Sequence, residues 1–537
     1  MMRAVADGAL APAGRTRQRA VRVANAAVAA LLVVALGVLS GCATLPPPTD
    51  RVDTTAITDT AGTRLGRTLA PLLAAHPGQT GFVGMPDPRN AFAARVLLAT
   101  TAESSIDAQY YIWHGDQVGN LLFQALWQAA GRGVRVRLLL DDLNTKGLDP
   151  TIAALDAHPN IEVRLYNPLV ERDARLVNFM GDFTRVNRRM HNKSFTVDNR
   201  ATVVGGRNIG NEYFGSGDGV VFADLDVLAV GRAVSDVSAE FDLYWNSASA
   251  YPAAPFVRDA PDAAAADLER RFAANRADPA AVDYLTAVRT TPLARELVER
   301  TLAFEWTNAA LVHDDPAKTL DTSERTDVLL FPELVRRIGQ PVRSLDIVSP
   351  YFVPGRAGTE QLAALARSGV AVRVLTNSLA ASDVKMVHSG YAKRRRDLLA
   401  AGVRLFEIKP DAVHLVATAQ GKPSTASSSG LHAKTLAVDR ARIFVGSFNF
   451  DPRSARLNTE MGLVIDSPAS ATDLGRFFDV RVPLLAYEAT LAPDGVSLEW
   501  IERSPSGEIR HATEPQTTWS TRMSVELLSI LPIEWLL

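Results

Sequence analysis

Between residues 104 and 168 the apolar and polar positions follow a regular order. SSIDAQYYIW (104–113) reads as a strand and LLFQALWQAAGRG (121–133) carries apolar residues at helical spacing. VRVRLLLDD (134–142) is a strand that ends in two acids, and HPNIEVRLYNP (158–168) is a further strand. The same order returns later as RSLDIVSPYF (343–352), EQLAALARSG (360–369), VAVRVLTNS (370–378) and AAGVRLFEIKP (400–410). A repeat on this scale predicts two copies of one strand–helix–strand lobe. Helices alternating with apolar, β-branched strands predict α/β lobes with largely buried sheets.

The remaining segments have a different texture. Residues 251–325, rich in Ala, Asp and Arg as in DAAAADLERRFAANRADP, predict a helical connector between lobe 1 (81–250) and lobe 2 (326–485). TAQGKPSTASSSG (418–430) is small and polar and predicts a loop beside the second lobe's motif. In the tail (486–537), VSLEWIERSPSGEIRHAT predicts a hairpin around Ser-Pro-Ser-Gly. The final MSVELLSILPIEWLL is apolar yet too short to span a bilayer as a helix, so it either packs on a lobe or lies in a membrane interface.

Composition narrows the class. With 537 residues, 47% hydrophobic and 22% charged, the chain has room for several cores and is neither disordered nor a many-helix membrane protein. Its net charge of −2 offers no global field for a polyanion, which counts against nucleic acid as a partner. The single cysteine, Cys42, excludes an internal disulfide and a cysteine-rich metal site. Before it stand Arg15, Arg17, Arg19 and Arg22, then an apolar run from Val23 to Leu39, then Leu39-Ser40-Gly41-Cys42. This order reads as an export signal over residues 1–42, and its ending resembles a bacterial lipobox, which implies lipid attachment at Cys42. The alternative is an uncleaved anchor; both place the body on a membrane surface outside the cytoplasm. A Pro-rich tether opens the lead-in segment 43–80.

The chemistry lies in a stretch that the chain states twice: RRMHNKSFTVDNRATVVGGRN (188–208) and GLHAKTLAVDRARIFVGSFN (430–449). The first supplies His191, Lys193, Asp198, Gly205, Gly206 and Asn208; the second supplies His432, Lys434, Asp439, Gly446, Ser447 and Asn449. His and Lys two apart on a strand project from one face. Lobes joined about a pseudo-twofold axis would place two His, two Lys and two Asn in one interfacial pocket. Two ammonium groups and two amides suit the non-bridging oxygens of a phosphodiester, where electrostatic stabilisation of the transition state is the large term. One imidazole can attack phosphorus while the other protonates the departing alkoxide. The lysines carry the needed charge, so neither metal nor cofactor is expected.

HNKSFTVD and HAKTLAVD, each followed by Gly-Gly or Gly-Ser and then Asn, resemble the paired HxKxxxxD motifs of the phospholipase D superfamily. AQYYIW, LLLDDLNT, GGRNIGNEYF, PYFVPG, TNSLAASDV and GSFNFDPRSARLNTEMG resemble in particular bacterial cardiolipin synthases of the C type. That resemblance implies one shared active site, a phosphohistidine, and transfer of a phosphatidyl group to an alcohol or to water. It implies His191 as nucleophile and His432 as acid and base, with an acidic residue beyond each motif orienting the imidazole. Glu460 matches in the second half; Asp224 fits in the first, with Asp226 as rival. Asp198 and Asp439 are expected to hold the local strand pair. Gly206, where many relatives have Ser, is a departure expected to remove a hydroxyl from the pocket. The expected partners are phospholipids, phosphatidylglycerol and also phosphatidylethanolamine, and a membrane surface. A monomer in the cell envelope is expected, on an outer membrane where there are two, since Ala43 is not acidic. Hydrolytic phospholipase D, then nuclease, are the alternatives.

Overall fold

The computed structural model describes Leu45 and residues 51–217, 219–257, 261–320, 325–412 and 428–537. The leader, Cys42, the start of the tether and most of the polar stretch 418–430 lie outside the described residues. Lobe 1 holds β1 (Thr80–Met85), β2 (Ser105–Tyr110), β3 (Arg135–Asp141), β4 (Ile161–Tyr166), β5 (Ser194–Val197), β6 (Ala201–Gly205), β7 (Val220–Ala223), β8 (Asp226–Gly231), β9 (Ala250–Pro252) and β10 (Glu305–Thr307). Its nine-stranded sheet runs β10-β1-β8-β6-β5-β2-β3-β4-β9. The β2–β3–β4 portion is parallel and almost wholly buried, with helices Gln117–Gly131 and Asp149–Asp156 carrying the crossovers; one face is apolar and the other holds paired polar side chains such as Asp107 and Arg137. The half carrying the His-Lys motif, β5–β6–β8–β1, is antiparallel.

Lobe 2 repeats the plan with β11 (Ala309–His313), β12 (Ser344–Val348), β13 (Ala371–Asn377), β14 (Arg404–Ile408), β15 (Ser428–Leu431), β16 (Lys434–Val438), β17 (Arg442–Gly446), β18 (Met461–Ile465) and β19 (Ala486–Leu491). The hairpin strands β20 (Leu498–Ser504) and β21 (Gly507–His511) extend it, giving the order β11-β18-β17-β16-β12-β13-β14-β19-β20-β21. The repeat reaches the ion pairs of two buried arginines: Arg137 bridges Asp107 and Asp242 (both 2.7 Å), and Arg373 bridges Asp346 and Asp479 (2.6 and 2.5 Å).

The sheets meet in a shared core. Val204, Val227 and Ala229 of lobe 1 pack with Ala437, Ile443, Val445, Leu463 and Ile465 of lobe 2. Burying one such aliphatic side chain contributes roughly 1.5–3 kcal/mol. Each lobe alone would expose this face.

Three segments gain detail in the structure. The interval read as a helical connector does contain helices, Pro261–Ala277, Pro279–Arg289 and Pro292–Glu299, but it ends in β10 and β11, which close an edge of each sheet. The lead-in segment is structured from Arg51: the Thr54 and Ala56 amides donate to Asn246 and Asp242 (3.2 and 2.8 Å), and Arg64–Ala75 is helical. The apolar end forms helix Trp519–Ile530, and the Lys393 ammonium and the Arg394 guanidinium hold it to lobe 2 through Leu531 O and Glu534.

Candidate active site

Each motif histidine lies just ahead of the first strand of its antiparallel half, where the chain crosses to the other lobe. The His191 amide donates to Thr459 O and the Thr459 amide to Arg189 O, both at 2.9 Å. On the other side β15 pairs in parallel with β7, and the His432 amide donates to Ala223 O at 2.8 Å. The residues after Thr459 and Ala223 are the predicted acids. Glu460 Oε2 lies 2.8 Å from His191 Nδ1, and Asp224 Oδ2 lies 2.6 Å from His432 Nδ1. The pairing is crossed: each imidazole is oriented by the opposite lobe. Asp226, the rival, bonds Arg95 at 2.8 Å.

Both histidines are recessed, 6% and 7% exposed, and the motif lysines are buried beside them. The Lys193 ammonium donates to His191 O at 2.6 Å, and Lys434 bonds His432 O in the same way. Asn208 is engaged at both ends, accepting from the Ile112 amide (3.2 Å) and donating to Tyr213 Oη (3.0 Å). Buried Asn449 has an Oδ1 without a hydrogen-bond partner among the described residues.

Asp198 and Asp439 turn away from the histidines, in left-handed conformations at φ 51° and 54°. Asp198 accepts from the amides of Glu103, Ser104 and Ser105, and Asp439 from those of Val342, Arg343 and Ser344. They pin the entries of β2 and β12, neighbours of the local strand pair they were expected to hold. The role expected for the hydroxyl at position 206 also changes. Its counterpart in lobe 2, Ser447 Oγ, donates to Glu460. A Cβ at Gly206 would stand 2.2 Å from Asp224 Oδ1, so the glycine makes room for the shorter acid.

Burial, then Lys193 and Lys434, push the His191 imidazole well below its ordinary value. Burial and Lys434 bring His432 down to about 4, against the raising effect of Asp224. Burial lowers Lys434 to about 8. The carboxyls diverge: burial lifts Glu460 to about 7, whereas for Asp224 burial is overcome by His432, Lys434 and Arg207, which bring it to about 2. The two matched carboxyls are thus shifted in opposite directions.

Several neighbours escaped the sequence reading. Tyr111 sets its ring edge-on to His191 at 5.0 Å; Tyr213 and Phe222 enclose His432 at 5.1 and 5.4 Å. Asn192, between His191 and Lys193, donates to buried Glu240 (2.6 Å) and accepts from Thr459 Oγ1 (2.9 Å). Gln109 also donates to Glu240, whose carboxyl burial raises to about 7. Ala433 stands at the matching place in lobe 2. The change from Asn192 to Ala433 between the motif His and Lys is the sequence signal that could have pointed to this relay. Among the described residues no group of three or more His, Cys, Asp or Glu is placed to hold a metal ion.

Two repeated α/β lobes that bring two His-Lys pairs and two crossed carboxylates to one interface define a two-motif phospholipase D-type enzyme. Comparison with known proteins agrees. Residues 97–245 and 334–481 match the family described as "Cardiolipin synthase, PLD-like domain". The chain is 46% identical to cardiolipin synthase C of Escherichia coli (strain K12) over 474 residues, 88% of this chain and 100% of that one. It is 25% identical to a cardiolipin synthase of Clostridium perfringens (strain SM101) over 74% of this chain and 69% of the relative. Its fold is similar to the solved phosphatidylserine synthase of Haemophilus influenzae Rd KW20, at TM-score 0.53 and 14% identity, covering 88% of this chain and all of that one. The chain belongs to the cardiolipin synthase family with phospholipase D-like domains, and is a phosphatidyltransferase of the phospholipase D superfamily.

Proposed function

We propose that the chain is a cardiolipin synthase that moves a phosphatidyl group through a phosphohistidine on His191 to the hydroxyl of phosphatidylglycerol. The crossed pairing carries this reading. Glu460 fixes Nδ1 of His191 and leaves Nε2 free to attack phosphorus, while ionised Asp224 favours a proton on His432. As the Nε2–P bond forms and the P–O bond to the leaving alcohol breaks, protonated His432 gives that alkoxide its proton. Neutral His432 then takes the proton of the acceptor hydroxyl, whose oxygen attacks phosphorus and releases His191. Lys193 and Lys434 balance the phosphoryl charge. A bound phosphodiester anion in turn offsets the two ammonium charges that hold both imidazoles low.

With phosphatidylglycerol as both donor and acceptor the products are cardiolipin and glycerol; with phosphatidylethanolamine as donor, cardiolipin and ethanolamine. The chain works at a membrane surface, anchored through lipid on Cys42 of an exported protein, as a monomer. Labelled phosphatidylglycerol, with and without phosphatidylethanolamine, should yield labelled cardiolipin on lipid separation. Phosphatidic acid as the sole labelled product would mean hydrolysis instead.

A further inference from the structure

A recessed site that acts on phospholipid must meet the bilayer with a particular face, and the exposed apolar side chains are unevenly spread. Eleven of the 23 large apolar side chains exposed among the described residues fall in three short stretches, 176–183, 384–386 and 519–535. Single exposed apolar residues are ordinary, but such concentration is not. Leu176 is 81% exposed and Ile530 78%; Met180, Phe183, Leu527 and Trp535 are also open to solvent.

These stretches converge at the active site. Helices Arg175–Gly181 and Phe183–Val186 lead directly into the motif at His191. Arg453 ties them to the chain end, donating to Asn187 O and Oδ1 (3.0 and 2.7 Å) and to Leu536 O (3.1 Å). The adjacent Ser454 Oγ donates to Glu460 at 2.6 Å, so this junction touches the acid that orients His191. Helix Lys385–Ala392 packs against the tail helix, and Asp383, just before it, is close enough to act on Lys434. Charge fits in part. Beside the second stretch Lys385, Lys393 and Arg396 are exposed, whereas the arginines of residues 171–189 are buried or half-buried, Arg172 and Arg189 in ion pairs with Asp142 and Asp141.

We propose that these elements form one docking face that seats on an anionic phospholipid bilayer, with Leu176, Met180, Phe183, Ile530 and Trp535 entering its interfacial layer. Apolar side chains framed by basic residues are what such an interface accepts, and tryptophan is favoured at its depth. The tail helix is thereby held on lobe 2 by one side and presented to lipid by the other. The proposal rests on the phosphatidyl-transfer reading, and its test separates the two.

The full-length chain and the variants Leu176→Asp/Met180→Asp and Ile530→Asp/Trp535→Asp would be assayed on phosphatidylglycerol vesicles and on the water-soluble diester bis(p-nitrophenyl) phosphate. Turnover on vesicles should fall about 10-fold or more in each variant, with the soluble diester cleaved at the wild-type rate. In a second measurement, vesicles brominated in the acyl chains should quench wild-type fluorescence, and Trp535→Phe should lose much of that quenching. Unchanged vesicle turnover, absent quenching, or equal loss on the soluble diester would each overturn the docking face. A wild-type chain that is quenched by vesicles yet leaves their phosphatidylglycerol intact would support the docking face while refuting the transfer reading.

Discussion

Asp224→Asn separates crossed from uncrossed pairing, because Asp224 belongs to the lobe of His191 but bonds His432 at 2.6 Å. The amide keeps the shape, and its oxygen can still take the Leu225 amide that Oδ1 accepts at 2.8 Å. What disappears is the charge. A hydrogen bond to a charged group contributes about 1.5–3 kcal/mol, which at about 1.4 kcal/mol per factor of ten is about 10- to 150-fold in rate. The loss should fall on leaving-group protonation, since Asp224 raises the His432 imidazole against burial and Lys434. A natural phosphatidylglycerol donor, with a poor alkoxide leaving group, should therefore react about 10- to 150-fold more slowly. A nitrophenyl phosphodiester, which departs without a proton, should react at close to the wild-type rate. Glu460→Gln should behave in the opposite way, slow on both substrates, because it misorients the nucleophile. Initial rates on the two substrates settle the matter. If Asp224→Asn is slow on both and Glu460→Gln is rescued, each acid serves its own lobe's histidine or the two roles are exchanged, and the reasoning fails.

The same logic extends to the histidines: the activated diester should partly restore His432→Ala and leave His191→Ala inactive, with phosphate trapped on His191 after denaturation during turnover; label on His432 would reverse the roles. Residues 43–250 and 326–537 expressed separately should show no turnover, since each lacks the acid for its own histidine and exposes the apolar interlobe face; robust activity from either half would contradict the shared site. Cys42→Ser should abolish lipid labelling and leave an uncleaved precursor, which the mass of the chain can check; normal processing of this variant would overturn the lipoprotein reading. Burial raises Glu240 from 4.5 to about 7, so between those values the native state binds more protons than the unfolded one, and stability from this group is lost as pH rises, at up to about 1.4 kcal/mol per unit. Glu240→Gln removes that slope, so its melting temperature relative to wild type should climb between pH 5 and pH 8; a constant difference would show that Glu240 does not titrate there.

Much of this architecture was legible because the chain states it twice. A His-Lys pair in one strand context is ambiguous, but its return with Gly and Asn in the same order marks both the lobes and the candidate site. Glu460 and Asp224 could be placed beyond the motifs, yet linear order carries no information about which histidine each acid faces. That depends on how β7 and β15 pair across the interface. β10 and β11, three and five residues long, were hidden in a connector because strands so short show too little alternation to stand out from helical surroundings. Glu240 was invisible for another reason: a lone carboxylate on a helix resembles a solvated face until tertiary packing buries it.

The substitution of Ala433 for Asn192 and of Ser447 for Gly206 shows what covalent fusion permits. A symmetric pair of identical chains must build both halves of its site from one set of residues, so any change that suits the attacking imidazole is imposed equally on the protonating one. Here the two halves are encoded separately. One histidine bonds a carboxyl that burial raises to about 7, and the other an acid that its cationic neighbours bring to about 2. On the proposed mechanism, duplication within a single chain converts geometric symmetry into chemical directionality, letting entry and departure of the transferred group be tuned one at a time.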